Sequence, residues 1–129
     1  MSKVLLVDDE EGIRRLLSEA LRHKGFDVDT AGSAEEAEKA FIENPFDVVV
    51  SDVHMPGGDG FELARRISGG HPSVPVILVT GDPSSEGLEQ SLAPPFFAYV
   101  AKPVDIEYLA ALVRKAAQKA NAMRNDPAS

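Results

Sequence analysis

Val4-Leu5-Leu6-Val7 followed by Asp8-Asp9, and Val48-Val49-Val50 followed by Ser51-Asp52, decide how this sequence folds. Each is a short unbroken apolar run that stops on carboxylates. Runs of this length, rich in β-branched residues, suit strands buried on both faces of a parallel sheet. Val76-Ile77-Leu78-Val79, ended by Thr80 and Gly81, is a third. Phe26-Asp27-Val28-Asp29-Thr30 alternates apolar with polar, and Phe97-Ala98-Tyr99-Val100-Ala101 carries a tyrosine, so these two read as sheet edges.

Between the strands lie segments of helical period. Ile13, Leu16, Leu17, Ala20 and Leu21 draw one apolar stripe, which Gly25 ends. Ser33 with Glu36, and Asp59 with Glu62, have the form of capping boxes opening two further helices, stopped by Asn44-Pro45 and by Gly69-Gly70. Asp105 can cap a last helix carrying Ile106, Leu109, Leu112, Val113, Ala116 and Ala120. Ser84 to Leu92 leaves room for only a short helix among prolines and a glycine. Strand and helix therefore alternate five times. The right-handed crossover rule turns this into an α/β, doubly wound, five-stranded parallel sheet with helices on both faces. One domain over residues 1–120 is expected, with residues 121–129 as a flexible polar tail.

The composition narrows the function. The 129 residues carry 13 Lys plus Arg against 21 Asp plus Glu, a net charge of −8 that repels a polyanion and argues against direct nucleic-acid binding. The absence of cysteine removes disulfides, thiolate metal sites and thiol nucleophiles from consideration. No run is long enough to span a bilayer and no signal peptide is recognisable, so a cytoplasmic location with no membrane partner is the expectation. His23, His54 and His71 lack zinc-ligand spacing, and no P-loop or dinucleotide fingerprint occurs; Gly57-Gly58-Asp59-Gly60 reads as a turn beside Asp52.

A doubly wound sheet collects its chemistry outside the carboxyl ends of the strands. There the sequence places Asp8 and Asp9, Asp52, Thr80 and Lys102. Each alone has an ordinary explanation: a helix cap, a polar strand end, a loop hydroxyl, a surface ammonium. Together at one edge they form a set. Three carboxylates in a small space repel, and a hard divalent cation such as Mg²⁺ is the natural offset. With Lys102 and Thr80 as fixed donors, the set suits phosphoryl transfer, and Asp52 on the middle strand is the best-placed nucleophile.

The segments VLLVDDE at 4–10, VVVSDVHMPGGDGFEL at 48–63, VILVTG at 76–81 and YVAKP at 99–103 resemble the receiver domain of two-component response regulators, and the likeness runs from Lys3 to about Ala120. The resemblance implies a flavodoxin-like strand order 2-1-3-4-5. It implies that Asp52 is the phosphoacceptor, that Asp8, Asp9 and Asp52 hold Mg²⁺ with the backbone carbonyl of His54, and that Lys102 contacts the phosphoryl group. Thr80 would be the signalling hydroxyl, Tyr99 the aromatic whose rotamer reports activation, and Lys102-Pro103 a cis peptide. The donor would be a sensor histidine kinase or phosphotransfer protein, with the chain catalysing its own phosphorylation and slow dephosphorylation. Output would pass to a downstream protein across the face of the fourth helix, fifth strand and fifth helix, as in stand-alone receivers of the chemotaxis type, unless the chain is a piece of a larger regulator. One departure is Ala93-Pro94-Pro95-Phe96-Phe97, where receivers usually carry a small turn.

Two rivals share part of this pattern. Haloacid-dehalogenase-like phosphohydrolases also form a phosphoaspartate, but place a second Asp where this chain has His54. A flavodoxin-like binding module would have to seat a flavin phosphate against Asp8, Asp9 and Asp52, which repel it.

Overall fold

The computed structural model describes residues 2–55, 58–71, 73–81 and 96–125. In chain order these form β1 (Lys3–Val7), α1 (Glu11–His23), β2 (Asp27–Ala31), α2 (Ala34–Glu43), β3 (Val48–Asp52), β4 (His54–Met55), β5 (Gly58–Asp59), α3 (Gly60–Gly70), β6 (Val76–Thr80), β7 (Phe96–Ala101) and α4 (Ile106–Asn125). The short helix expected within 84–92 lies outside the described residues.

The main sheet is parallel throughout, in the order β2-β1-β3-β6-β7. Counting only its own strands, this is the expected 2-1-3-4-5. β1, β3 and β6 are central, and all five residues of β3 and of β6 are buried. The two strands read as edges, β2 and β7, are the edges.

The pleat sends alternate side chains into two separate cores. Leu5, Val7, Val49, Val76 and Leu78 pack under α2 and α3 with Ala37, Phe41, Phe61 and Ile67. Val4, Leu6, Val48, Val50, Ile77 and Val79 pack under α1 and α4 with Leu17, Leu21, Leu109 and Val113. Each fully buried Leu, Ile or Val contributes about 1.5–3 kcal/mol relative to exposure, which explains why the central strands, past Lys3 at the mouth of β1, carry nothing polar until their carboxyl ends.

Helix termini follow their local chemistry. Ser33 Oγ accepts the Glu36 N–H at 3.1 Å, while Glu36 Oε2 reaches back to the Gly32 N–H at 2.8 Å, one residue before the cap. Asp105 Oδ1 accepts the Glu107 N–H at 2.9 Å and the Tyr108 N–H at 3.3 Å. Gly25 closes α1 with a φ of 99°, where a side chain would be strained. Asn44 ends α2 in extended conformation, as the residue before a proline must.

Two features depart from the sequence reading. The helix expected to stop at Ala120 continues to Asn125, so residues 121–125, expected in the tail, are helical. Nothing between 121 and 125 breaks a helix, and the next proline is Pro127. The two-residue pair β4 and β5, with His54 opposite Asp59 and Met55 opposite Gly58, forms a small antiparallel hairpin beyond β3. The bulky Phe96 and Phe97 that replace the usual small turn are accommodated on opposite faces of the sheet. Phe96 meets Phe61 edge-on at 5.4 Å, and Phe97 packs on the α1/α4 side beneath Lys119.

Candidate functional site: an acidic nest at the carboxyl edge

Strand register brings the polar groups together. Val7 lies opposite Ser51, so the residues that follow, Asp8 and Asp52, stand side by side where β1 and β3 end. Asp52 pairs in register with Val79, and Thr80 with Ala101, which sets Thr80 and Lys102 one step further along the same edge. Asp8, Asp52 and Thr80 are buried, at 2%, 6% and 0% exposure, and Asp9 is exposed. Asp8, Asp9 and Asp52 each offer a carboxylate oxygen within 4.8 Å of the others. Lys102 Nζ lies 3.0 Å from Asp52 Oδ2, with the lysine side chain 29% exposed.

The surrounding backbone fixes these groups. The Asp8 N–H donates to Ala31 O at 3.1 Å, and Asp8 Oδ1 accepts the Glu10 N–H at 2.9 Å. Asp8 thus serves the start of α1 and the cluster at once, one oxygen being enough for the first task. Ser51 Oγ donates to the Asp52 carbonyl at 3.0 Å, and the His54 N–H approaches Asp52 Oδ1 at 3.4 Å. The Lys102 N–H donates to Thr80 O at 2.8 Å, and the Lys102–Pro103 peptide is cis. Tyr99, opposite Leu78 on the edge strand, is 44% exposed.

Three residues that sequence reasoning did not assign a role belong to this scaffold. Ser51 and Arg14 hold the carbonyls of Asp52 and Asp8, the latter through Arg14 Nη1 at 2.7 Å. Gly60, read only as part of a turn, lies so close that a Cβ on it would sit 2.6 Å from the Asp52 carbonyl oxygen.

Burial raises the pKa of Asp8, and the nearby charges of Asp52 and Asp9 push the same way against the Glu10 N–H and Lys102. Burial works against the charged form of Lys102, yet the hydrogen bond and charge of Asp52, helped by Asp8 and Glu10, leave its pKa raised. A carboxyl whose folded-state pKa lies above its unfolded value stabilises the protein fully below the unfolded value. That contribution is lost as pH rises through the folded value. In chelator, the urea midpoint of Asp8→Asn is therefore expected to gain on the parent as pH rises above the ordinary aspartate value of about 4. A constant difference between the two proteins across that range would contradict the burial and repulsion assigned to Asp8.

An all-oxygen, multiply anionic donor set fits a hard divalent cation, and Mg²⁺ in particular binds through a few carboxylates while leaving positions for phosphate oxygens. Such a cation beside a buried carboxylate, an ammonium and a hydroxyl forms a site for a tetrahedral anion.

The family model of the response regulator receiver domain matches residues 4–114. The response regulator protein PilR of Pseudomonas aeruginosa is 35% identical over 119 residues, covering 92% of this chain and 27% of its own length. The regulatory protein AtoC of Escherichia coli K12 is 34% identical over 118 residues, covering 92% of this chain and 26% of its own. The chain thus spans about a quarter of the length of these relatives. Among solved structures, a response regulator receiver domain protein from Clostridium thermocellum superposes with a TM-score of 0.89 at 30% identity, covering 95% of this chain and 99% of that one. The response regulator TrrA of Thermotoga maritima, solved in complex with Mg²⁺-BeF, gives 0.79 at 35% identity, covering 90% and 99%. A fold, a sheet-edge acidic site and a sequence match that agree over nearly the whole chain have one reading: the chain belongs to the response regulator receiver domain family, the phosphoacceptor modules of two-component phosphorelays.

Proposed function

We propose that Asp52 is the phosphoacceptor, and that it takes a phosphoryl group from a phosphohistidine of a sensor histidine kinase or phosphotransfer protein. The observation that carries this reading is the buried Asp52 carboxylate, held 3.0 Å from Lys102 and within 4.8 Å of the Asp8 and Asp9 oxygens. An Asp52 oxygen attacks phosphorus, the bond from phosphorus to the imidazole nitrogen breaks, and the imidazole departs with its electron pair. Asp8, Asp9 and Asp52, with the backbone carbonyl of His54, hold Mg²⁺. When bound, the cation neutralises the carboxylates and the oxygens of the moving group. Lys102 pairs with a phosphoryl oxygen in place of its bond to Asp52, and the Thr80 hydroxyl donates to another. Water later releases the group slowly.

The product adds about two negative charges and three acceptor oxygens at the mouth of the sheet. Thr80 sits two positions beyond Leu78, the residue opposite Tyr99. A shift of the Thr80 hydroxyl toward the new oxygens therefore changes the space available to the Tyr99 ring, and its rotamer reports the switch. The downstream partner is a protein that docks on the face of β7 and α4, where Tyr99 and Tyr108 are 44% and 54% exposed. The helix expected to complete that face falls outside the described residues. No described helix is long and apolar enough to cross a membrane. Together with a net charge of −8, this supports action in the cytoplasm through protein partners rather than directly on nucleic acid.

Incubation with acetyl phosphate and Mg²⁺ is expected to add one phosphoryl mass, mapped to the peptide carrying Asp52 and lost when the cation is chelated. An adduct on any other peptide, or labelling that persists in chelator, would overturn the assignment.

A further inference from the structure

Arg14 lies in the first turns of α1, outside the apolar stripe of Ile13, Leu16, Leu17, Ala20 and Leu21, and is half-buried. Its guanidinium turns back over the β1–α1 connection and donates to the Asp8 carbonyl at 2.7 Å, a charge-assisted bond across six residues. A second observation is that the neighbouring loop passes close against this side chain. A Cβ at Gly32 would sit 3.0 Å from Arg14 Nη1 and 3.5 Å from Glu36 Oε2, so the glycine lies between guanidinium and carboxylate. Glu36 in turn holds the Gly32 N–H, and the preceding Ala31 carbonyl accepts the Asp8 N–H. The Asp8 residue is thus gripped at its carbonyl by Arg14 and at its N–H by the end of β2, while its side chain, with one oxygen on the Glu10 N–H, faces the acidic cluster.

We infer that Arg14 is a positioning residue for cation binding. It fixes the Asp8 peptide so that the Asp8 and Asp9 carboxylates stay convergent although they repel one another. The inference rests on the reading that Asp8, Asp9 and Asp52 hold Mg²⁺, and extends it to a side chain that touches neither cation nor phosphoryl group. Its effect belongs on the affinity for the cation, because a saturating cation restores the convergence that the guanidinium otherwise maintains.

The test titrates Mg²⁺ into the full chain and follows backbone amide signals near Asp8 by NMR. It compares the parent with Arg14→Gln, Gly32→Ala, their combination, and Arg15→Gln. Arg15 is the adjacent exposed arginine, so its variant removes the same charge from the same helix without touching Asp8. Groups that orient a metal ligand typically govern about 10–100-fold in affinity, and Arg14, acting through the backbone, belongs at the low end. Arg14→Gln should therefore weaken Mg²⁺ binding about tenfold, and Arg15→Gln less than about twofold. Gly32→Ala crowds the guanidinium and should weaken binding in the same direction with Arg14 still present. The double variant should bind no more weakly than Arg14→Gln alone, since both changes act through one contact. Labelling of Arg14→Gln by acetyl phosphate should recover as Mg²⁺ is raised. Equal affinities in Arg14→Gln and Arg15→Gln, or full additivity with Gly32→Ala, would overturn the role of Arg14. A parent that binds no Mg²⁺ would instead overturn the metal reading itself.

Discussion

Asp52→Asn is expected to take no phosphoryl group from acetyl phosphate and, in chelator, to withstand more urea than the parent. The first outcome follows from chemistry, because an amide oxygen carries no charge with which to attack phosphorus. The second is a contest of opposing interactions. Asp52 gains from Lys102 at 3.0 Å and loses to Asp8 and Asp9, whose oxygens lie within 4.8 Å. Unit charges ~4 Å apart interact by about 4 kcal/mol at an effective dielectric near 20, so neither side wins on distance alone. Burial decides it. Asp8 and Asp52 are 2% and 6% exposed, whereas the Lys102 side chain is 29% exposed and its attraction is screened more strongly. The amide also costs less to bury than a carboxylate and still accepts a hydrogen bond from Lys102, leaving a net gain of about 1 kcal/mol. Adding Mg²⁺ should reverse the order. The parent gains about 1.4 kcal/mol at roughly ten times its dissociation constant, while the variant has lost one of the three carboxylates proposed to hold the cation. A variant no more stable than the parent in chelator would mean that the carboxylates do not repel as this geometry requires.

What the sequence disclosed, it disclosed where one physical demand dominates. β1, β3 and β6 are legible because the middle of a strand covered on both faces favours an unbroken apolar run, and the polar residues after that run mark where the strand is ending. For the same reason Asp8, Asp52 and Thr80 could be assigned to one edge before any coordinates, since parallel strands end together. The edges β2 and β7 were recognisable from their partial polarity. The β4–β5 hairpin was not, because two residues per strand carry no period. The end of α4 was misjudged for a related reason: Asn121 and Arg124 are polar, but polarity alone does not stop a helix that no glycine or proline interrupts. Arg14 and Ser51 were invisible as parts of the site because each bonds a backbone carbonyl, and any residue type supplies one. Only the chain's path, with Arg14 returning over Asp8, makes such a contact specific.

Among the described glycines, Gly60→Ala should be the most damaging alanine substitution. Gly60 begins α3 immediately after β5, and its N–H donates to the Val53 carbonyl at 2.9 Å, tying the helix to the segment that leaves β3. Its φ is not positive, so an alanine suffers no backbone strain there; the difficulty is space. The added Cβ would lie 2.6 Å from the Asp52 carbonyl oxygen, 3.1 Å from Leu78 Cδ2 and 3.2 Å from Ser51 Oγ. Leu78 can rotate a little and Ser51 can give up its bond to the same carbonyl, but the carbonyl belongs to the middle strand and is covered on both sides. Either α3 lifts away, opening the core that Phe61, Leu63 and Ala64 fill, or the Asp52 peptide turns and takes the carboxylate with it. Overpacking of this kind costs about 1–3 kcal/mol, and a backbone partner places it at the upper end. The urea midpoint should fall accordingly. Acetyl phosphate labelling should drop about 100-fold even where the protein remains folded, because about 1 Å of displacement removes that much positioning. A folded Gly60→Ala protein that labels at the parental rate would show that the Asp52 carboxylate does not depend on this contact.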